Sequence, residues 1–270
     1  MDEFISNSEK KRKRQNIRIL QGIILPCILL LAWELAVRTG FFPNTIVASP
    51  TQVFFNFFVM IRDMRLLKHS YVSLGRLFLG FAIGTALGIL LGSLVGYSRW
   101  LARLIEPTIL SLIPIPPIVW IPLLIIIFGI GELSKVSLIA IAGFCTLFIH
   151  TAYGIRTADR KLVEVAYIFE KGRRSLFLKI LLPSAITNIL SSMRIALAIS
   201  WTLLMASEII ASSKGLGWLM WDARNFSRPD DMMVGMLTVG ILGRLTDSLL
   251  IKLERYLTRW RQTYGEVQNV

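Results

Sequence analysis

The chain is predicted to be an all-α, polytopic membrane protein with six transmembrane helices, and three observations predict it. Hydrophobic residues make up 54% of the 270 residues and charged ones only 17%, too little polar surface to clothe a soluble globule, so lipid must solvate much of the exterior. The apolar residues run in continuous, Leu- and Ile-rich stretches of roughly 20, the length a helix needs to cross the hydrocarbon core. A membrane barrel would instead alternate apolar and polar positions in segments of about ten.

The six stretches are Ile17 to Val37, Leu77 to Val95, Pro107 to Gly131, Val136 to Ile155, Ile186 to Ala211 and Met232 to Ile251. Basic residues gather in the cytoplasmic loops of membrane proteins, and the run KKRKR at Lys10 to Arg14 sets the N-terminus inside. Six spans then put both termini, the turn at Arg99 and Arg103, and the loop 156–183 in the cytoplasm. These segments carry most of the 30 Lys and Arg. The organisation that follows is a basic cytoplasmic tail (1–16), a transmembrane domain (17–253) and a second cytoplasmic tail (254–270). The net charge of +13 therefore reads as topology. Nucleic-acid binding is not expected, since no aromatic-basic module or zinc spacing accompanies the charge. The first stretch is longer than a signal's apolar core and no clear small-residue cleavage site follows it, so it is expected to be a retained span. Cys27 and Cys145 both sit in apolar spans without metal or redox spacing and read as packing residues.

After the first span, Ser49 and Pro50 form a helix start, a capping residue followed by proline in the first turn. Val53, Phe54, Phe57, Phe58 and Ile61 then predict the apolar face of a helix lying in the outer interface. Span two carries glycine at every fourth position, Gly80, Gly84, Gly88, Gly92 and Gly96, which share one helix face and allow a second helix to approach closely. That face suits either a dimer interface or an internal sliding contact. Span three holds Pro114, Pro116, Pro117 and Pro122 around Trp120. Proline removes a helix donor and clashes with the preceding turn, which predicts a break, either a purely structural kink or irregular backbone lining a path. The turn GIGE, Gly129 to Glu132, with Lys135 closes its outer end.

Ionisable residues within spans are costly and mark candidate function. Arg194 lies near the cytoplasmic entry of span five and Glu208 near its outer end. Arg244 and Asp247, three residues apart in span six, are expected to pair on one face. Arg194 is either a functional charge or a side chain that snorkels to the cytoplasmic interface. His150 reads as packing. Residues 212–231 are too polar to cross, yet contain Leu216, Trp218, Leu219 and Trp221, which predicts a segment dipping into the outer interface.

The inner loop from Glu164 to Pro183 reads EVAYIFEKGRRSLFLKILLP. Helix formers precede a bend at EKGRRS, helix resumes over Leu176 to Leu182, and Pro183 is expected to interrupt it. A short exposed helix between two supports can sit in a groove of a cytoplasmic partner. No G-x-x-x-x-G-K-[ST] motif occurs, and no catalytic constellation of the GxSxG or HExxH kind, so no enzyme activity is expected.

This loop resembles that of the transmembrane permease subunits of binding-protein-dependent ABC importers, whose pattern is Glu-Ala-Ala, three residues, Gly, nine residues, Ile, one residue, Leu-Pro. Glu164, Ala166, Ile180, Leu182 and Pro183 match it. Val165 replaces the second residue, Glu170 stands where glycine is expected, and Gly172 follows two positions later. The chain is most similar to permeases of the aliphatic sulfonate, taurine, nitrate and bicarbonate type, through Ser49-Pro50, Ser73 to Arg76, Pro114 to Pro122, Phe128 to Glu132, Ser134-Lys135, Met193-Arg194, Glu208 and Lys214 to Leu219. The resemblance implies a type I importer fold in a bacterial inner membrane. It also implies a second permease copy, two cytosolic ATPase subunits that bind ATP and Mg, and an external solute-binding protein. No cofactor is expected in this chain. With the resemblance, Glu164, Ala166, Glu170, Lys171, Gly172, Arg173, Ile180, Leu182 and Pro183 become the expected ATPase-coupling residues. Pro116, Pro117, Trp120, Arg194, Trp201 and Glu208 become those of the translocation path. The alternative is a secondary transporter driven by an ion gradient, for which internal repeats and mid-membrane carboxylates would be expected; no convincing repeat is present.

Overall fold

The computed structural model describes residues 24–158, 164 and 173–259. They fall into two compact units, Met1–Arg65 with Met220–Val234, and Leu66–Leu219 with Gly235–Val270.

In the first unit, helix α1 (24–38) leads through a turn into α2 (Pro50–Arg62). The start of α2 is a capping box: the Ser49 hydroxyl accepts from the Gln52 amide at 3.3 Å, and the Gln52 side chain accepts from the Ser49 amide at 3.0 Å. Glu34 of α1 accepts from the amide and hydroxyl of Thr51, at 3.1 and 2.8 Å, which ties the two helices together. Val53 and Met60 are the buried residues of α2, whereas Phe54 and Phe58 are exposed and form an edge-on ring pair. Residues 53 and 60 are two turns apart on one face, and each residue between steps round by about 100°. The phenylalanines therefore form a second apolar face that the unit leaves open.

The second unit is built on α3 (Arg65–Tyr97), α6 (Glu132–Arg156) and α7 (Leu182–Ala211). The glycine face of α3 is an internal contact. A Cβ added at Gly80, Gly84, Gly88, Gly92 or Gly96 would come within 3.0 Å of α6 in every case, and at Gly84 within 2.2 Å of the Ala140 carbonyl oxygen. With the two helices this close, Leu77 and Phe81 from α3, Ile139 and Leu147 from α6, and Ile189, Leu197, Trp201 and Leu204 from α7 form one core. The close fit gains dispersion contacts that an apolar solvent such as lipid does not replace.

The proline-rich span is two helices, α4 (Arg99–Leu112) and α5 (Ile121–Phe128), the latter preceded by a 3-10 turn, Pro117–Trp120; the two arms meet at 86°. α4 begins at Arg99, eight residues ahead of the expected Pro107, and carries that proline internally. The break falls where Pro114, Pro116 and Pro117 remove amide donors in quick succession. The turn after α5 has Gly129 at φ 77°, a left-handed conformation that favours glycine.

A helical turn (Arg173–Leu176) and a π turn (Phe177–Leu181) run directly into α7. Pro183 therefore does not interrupt the helix as expected; it occupies the first turn of α7. A regular helix would drive the ring of Pro183 into the carbonyl four residues back. Widening the preceding turn to i→i+5 bonds, as in Leu182 N–H to Phe177 O, accommodates it.

α8 (Leu216–Asn225) and α9 (Pro229–Leu257) complete the described residues. Among these residues, α3, α6, the run Phe177–Ala211 and α9 are long and apolar enough to cross a membrane, and the bent pair makes up to five spans. The first expected span is described only from residue 24.

Candidate functional site

The expected site residues fall into three places. At the break, Pro116 is exposed, Pro117 half-buried, and Trp120 packs at the edge of a core formed by Ile121, Leu124, Leu138, Ala142 and Leu203. This puts the irregular backbone of span three beside α6 and α7. Trp201 lies on α7 but is buried, and its indole N–H donates to Thr246 of α9 at 3.1 Å. It joins two helices through that bond and its packing in the core of the second unit.

In the N-terminal half of α7, Arg194 is no free cation. Its Nε donates to Asp247 at 2.8 Å and a second nitrogen reaches the other carboxylate oxygen at 3.3 Å, with Glu254 4.0 Å away. Arg244 also reaches Asp247, at 3.3 Å, so the expected pair exists but shares its carboxylate. Arg194 thus links α7 to α9.

Of the coupling segment, Glu164 is helical and exposed, and Ile180, Leu182 and Pro183 lie in the π turn and the start of α7. Arg173 is in the helical turn. Ala166, Glu170, Lys171 and Gly172 lie outside the described residues.

At the C-terminal end of α7, Glu208 is fully buried. A carboxylate in such a place needs a counter-charge and donors for its lone pairs, and the second unit supplies them. Arg76 Nη1 donates at 2.9 Å, the Ser73 hydroxyl lies 2.8 and 2.9 Å from its two oxygens, and the Gly217 amide donates at 2.8 Å. Ser73 in turn accepts from the Leu216 amide at 2.8 Å. The loop closes over the carboxylate at Gly215, whose φ is 118° and where a Cβ would lie 2.4 Å from the Glu208 carboxyl. The other side of the Arg76 guanidinium grips Glu132 with two bonds of 2.6 Å, and Nη1 also reaches the Lys214 carbonyl at 2.7 Å. One arginine therefore ties α3, the start of α6, the end of α7 and the loop leading to α8. Glu208 is enclosed by protein and holds the loop 212–217 against α3 and α7. Arg76 and Ser73 carry more of this arrangement than their place beside the glycine face announced; the usable signal was an arginine one turn after a serine at the entrance of an apolar helix.

The described helices are long and apolar, two of them packed through a glycine face, and one apolar stretch is broken into two arms. A solved inward-facing structure of the MetNI methionine ABC transporter has the same fold, with a TM-score of 0.62 at 19% identity, covering 72% of this chain and 97% of that one. Residues 84–260 match the family described as binding-protein-dependent transport system inner membrane component, and the chain belongs to that family. A permease protein of Bacillus subtilis named for aliphatic sulfonates transport is 34% identical over 96% of this chain and 95% of its own length. The taurine transport system permease of Escherichia coli is 32% identical over 76% of this chain and 74% of its own. The bicarbonate transport system permease of Synechococcus elongatus is 30% identical, covering 73% and 71%. The chain is accordingly a multi-pass inner-membrane permease subunit of an ABC importer and not itself an enzyme; the family brings ATPase and binding-protein partners, and the secondary-carrier alternative is set aside.

Proposed function

We propose that the chain forms, with a second copy of itself, the path for a small anionic solute of the sulfonate, taurine, nitrate or bicarbonate class, and couples that path to two cytosolic subunits that bind ATP and Mg. The observation that carries the substrate class is the set of relatives above, which align over 70% or more of this chain and are named for aliphatic sulfonates, taurine and bicarbonate. In this reading six spans cross the membrane with both termini in the cytoplasm. The segment Glu164 to Arg173, with Ala166, Glu170, Lys171 and Gly172, docks on the ATPase, and Ile180, Leu182 and Pro183 join it to α7.

The mechanism is alternating access. Closure of the ATPase pair on ATP moves the coupling segment, and the stiff run from the π turn through α7 carries that displacement to the outer anchor at Glu208. The break at Pro116, Pro117 and Trp120 supplies the backbone that can line the path, while the Arg194 link to Asp247 makes α9 follow α7 at the inner end. The test is to express the chain with its ATPase subunits, purify through a tag on this chain, and assay ATP hydrolysis in lipid with candidate binding proteins and solutes. Co-purification with hydrolysis stimulated by an anionic solute supports the reading. Wild-type transport by Glu164→Ala and Gly172→Pro variants would sink the coupling role.

A further inference from the structure

We propose that His69 is a pH-sensitive latch on the loop 212–217: its neutral imidazole holds the loop closed over Glu208, and uptake of a proton by the ring releases the loop at Gly215. All the groups that make the latch lie within the second unit.

Three successive buried amides each donate to a different side chain. The Gly215 N–H donates to Nδ1 of His69 at 3.1 Å, the Leu216 N–H to the Ser73 hydroxyl at 2.8 Å, and the Gly217 N–H to the Glu208 carboxylate at 2.8 Å. A fourth tie runs the other way, from Arg76 to the Lys214 carbonyl at 2.7 Å. His69, Ser73 and Arg76 stand at successive turns of α3 and share one face of it. A backbone N–H only donates, so the ring nitrogen that faces Gly215 must carry a lone pair. An imidazolium bears a proton on both nitrogens and accepts nothing. Protonation of the ring and the bond to Gly215 therefore exclude one another, and the amide is left buried without that acceptor unless the loop moves.

The ring itself is held by a separate contact. It stacks on the Trp218 indole, with centroids 5.3 Å apart and planes 27° from parallel. A cation is attracted to an indole face, so protonation leaves the ring seated and acts on the amide. The charges around it come from each element packed there. α3 carries Arg65 and Lys68 before His69 and Arg76 after it, the loop carries Lys214, and α7 brings the Glu208 carboxyl under Gly215. The acidic residue next along α8, Asp222, is paired with Arg228. Arg65 is paired with Asp231, and Arg76 with Glu132 and Glu208, while Lys68 and Lys214 are exposed. Because the released loop binds the proton better than the closed one, closure is favoured at the higher pH and weakens as pH falls. Leu216 and Gly217 keep their acceptors, so the loop loosens at one end. The latch does not depend on which solute is carried, and so goes beyond the proposed function.

The test uses the full chain, purified with its ATPase subunits and placed in phosphatidylcholine nanodiscs. Deuterium uptake by the peptide 212–219 is followed at about pH 5.5 and about pH 8, either side of the range in which histidine ordinarily titrates, with rates corrected for the intrinsic pH dependence of amide exchange. Wild type is expected to exchange about fivefold faster at the lower pH after correction, the worth of one hydrogen bond. His69→Asn offers a carbonyl oxygen that does not titrate and is expected to stay protected at both values. His69→Phe keeps a ring against Trp218 without the acceptor and is expected to exchange fast at both. Equal corrected exchange of wild type at the two pH values overturns the proposal. So does a wild-type pH dependence in His69→Asn, which would trace the effect to another group such as Glu208; this arm decides the matter if His69→Phe fails to fold. Loss of anion transport with the exchange pattern intact overturns only the proposed function.

Discussion

Gly84 of α3 faces Ala140 of α6 so closely that a single added methyl group would lie 2.2 Å from the Ala140 carbonyl oxygen and 2.8 Å from its Cα. Both obstacles are backbone, which cannot rotate away as a side chain can. Gly84→Ala is therefore expected to destabilise the chain by ~1–3 kcal/mol, the usual range for overpacking, and Gly84→Leu to abolish accumulation. Gly143→Ala is the control: its nearest neighbour would lie at 3.4 Å, an ordinary contact, and alanine is the better helix former. Thermal unfolding of the two purified variants in lipid separates them, and equal stability would contradict the close approach.

Removal of the Glu208 carboxylate should be among the most damaging single changes in the second unit. Breaking a buried pair by deleting one partner costs roughly 3–5 kcal/mol, and Ser73 and the Gly217 amide would lose their acceptor as well. Glu132→Gln should be far milder, because that side chain is 65% exposed and exposed pairs contribute about 0–1 kcal/mol. A double-mutant cycle on Arg76 and Glu208, read by unfolding, is expected to show coupling well above that of Arg76 and Glu132.

Arg194→Gln and Asp247→Asn are expected to depress transport similarly without altering which anion is preferred, since each removes the same link between α7 and α9. Exchange of the two charges, Arg194→Asp with Asp247→Arg, should recover part of the rate. Transport assays with competing anions decide the matter; a change of preference in Arg194→Gln alone would restore that residue to the solute path.

Trp201→Phe tests whether the buried indole contributes packing or chemistry. The substitution keeps an aromatic ring and loses the hydrogen bond to Thr246, worth about 1 kcal/mol. Lower thermal stability with unchanged solute preference is the expected result, and an altered preference at unchanged stability would reverse the assignment.

Features set by near neighbours in the chain were legible in the sequence. The glycine repeat announced a helix contact through spacing alone, the prolines announced the break, and Ser49 with Pro50 announced the start of α2. The partners were not legible where they lie far apart in sequence. Arg76 meets Glu132 and Glu208 across 56 and 132 residues, and Arg194 meets Asp247 across 53; each residue alone reads only as a charge near a membrane boundary. The glycine face admitted two partners, and only the three-dimensional packing chose α6. Pro183 misled for a different reason: the rule that proline ends a helix assumes regular i→i+4 bonding, and the chain widened the turn instead.

The π turn at Phe177–Leu181 amounts to a helix with one residue too many. In a regular helix an extra residue rotates everything beyond it by about 100°; here the surplus is absorbed within a single turn. A helical wheel drawn continuously from Arg173 into α7 would therefore assign the faces on one side of the turn wrongly. The surplus thus sets the phase between the turn Arg173–Leu176 and α7 at one short place in the chain.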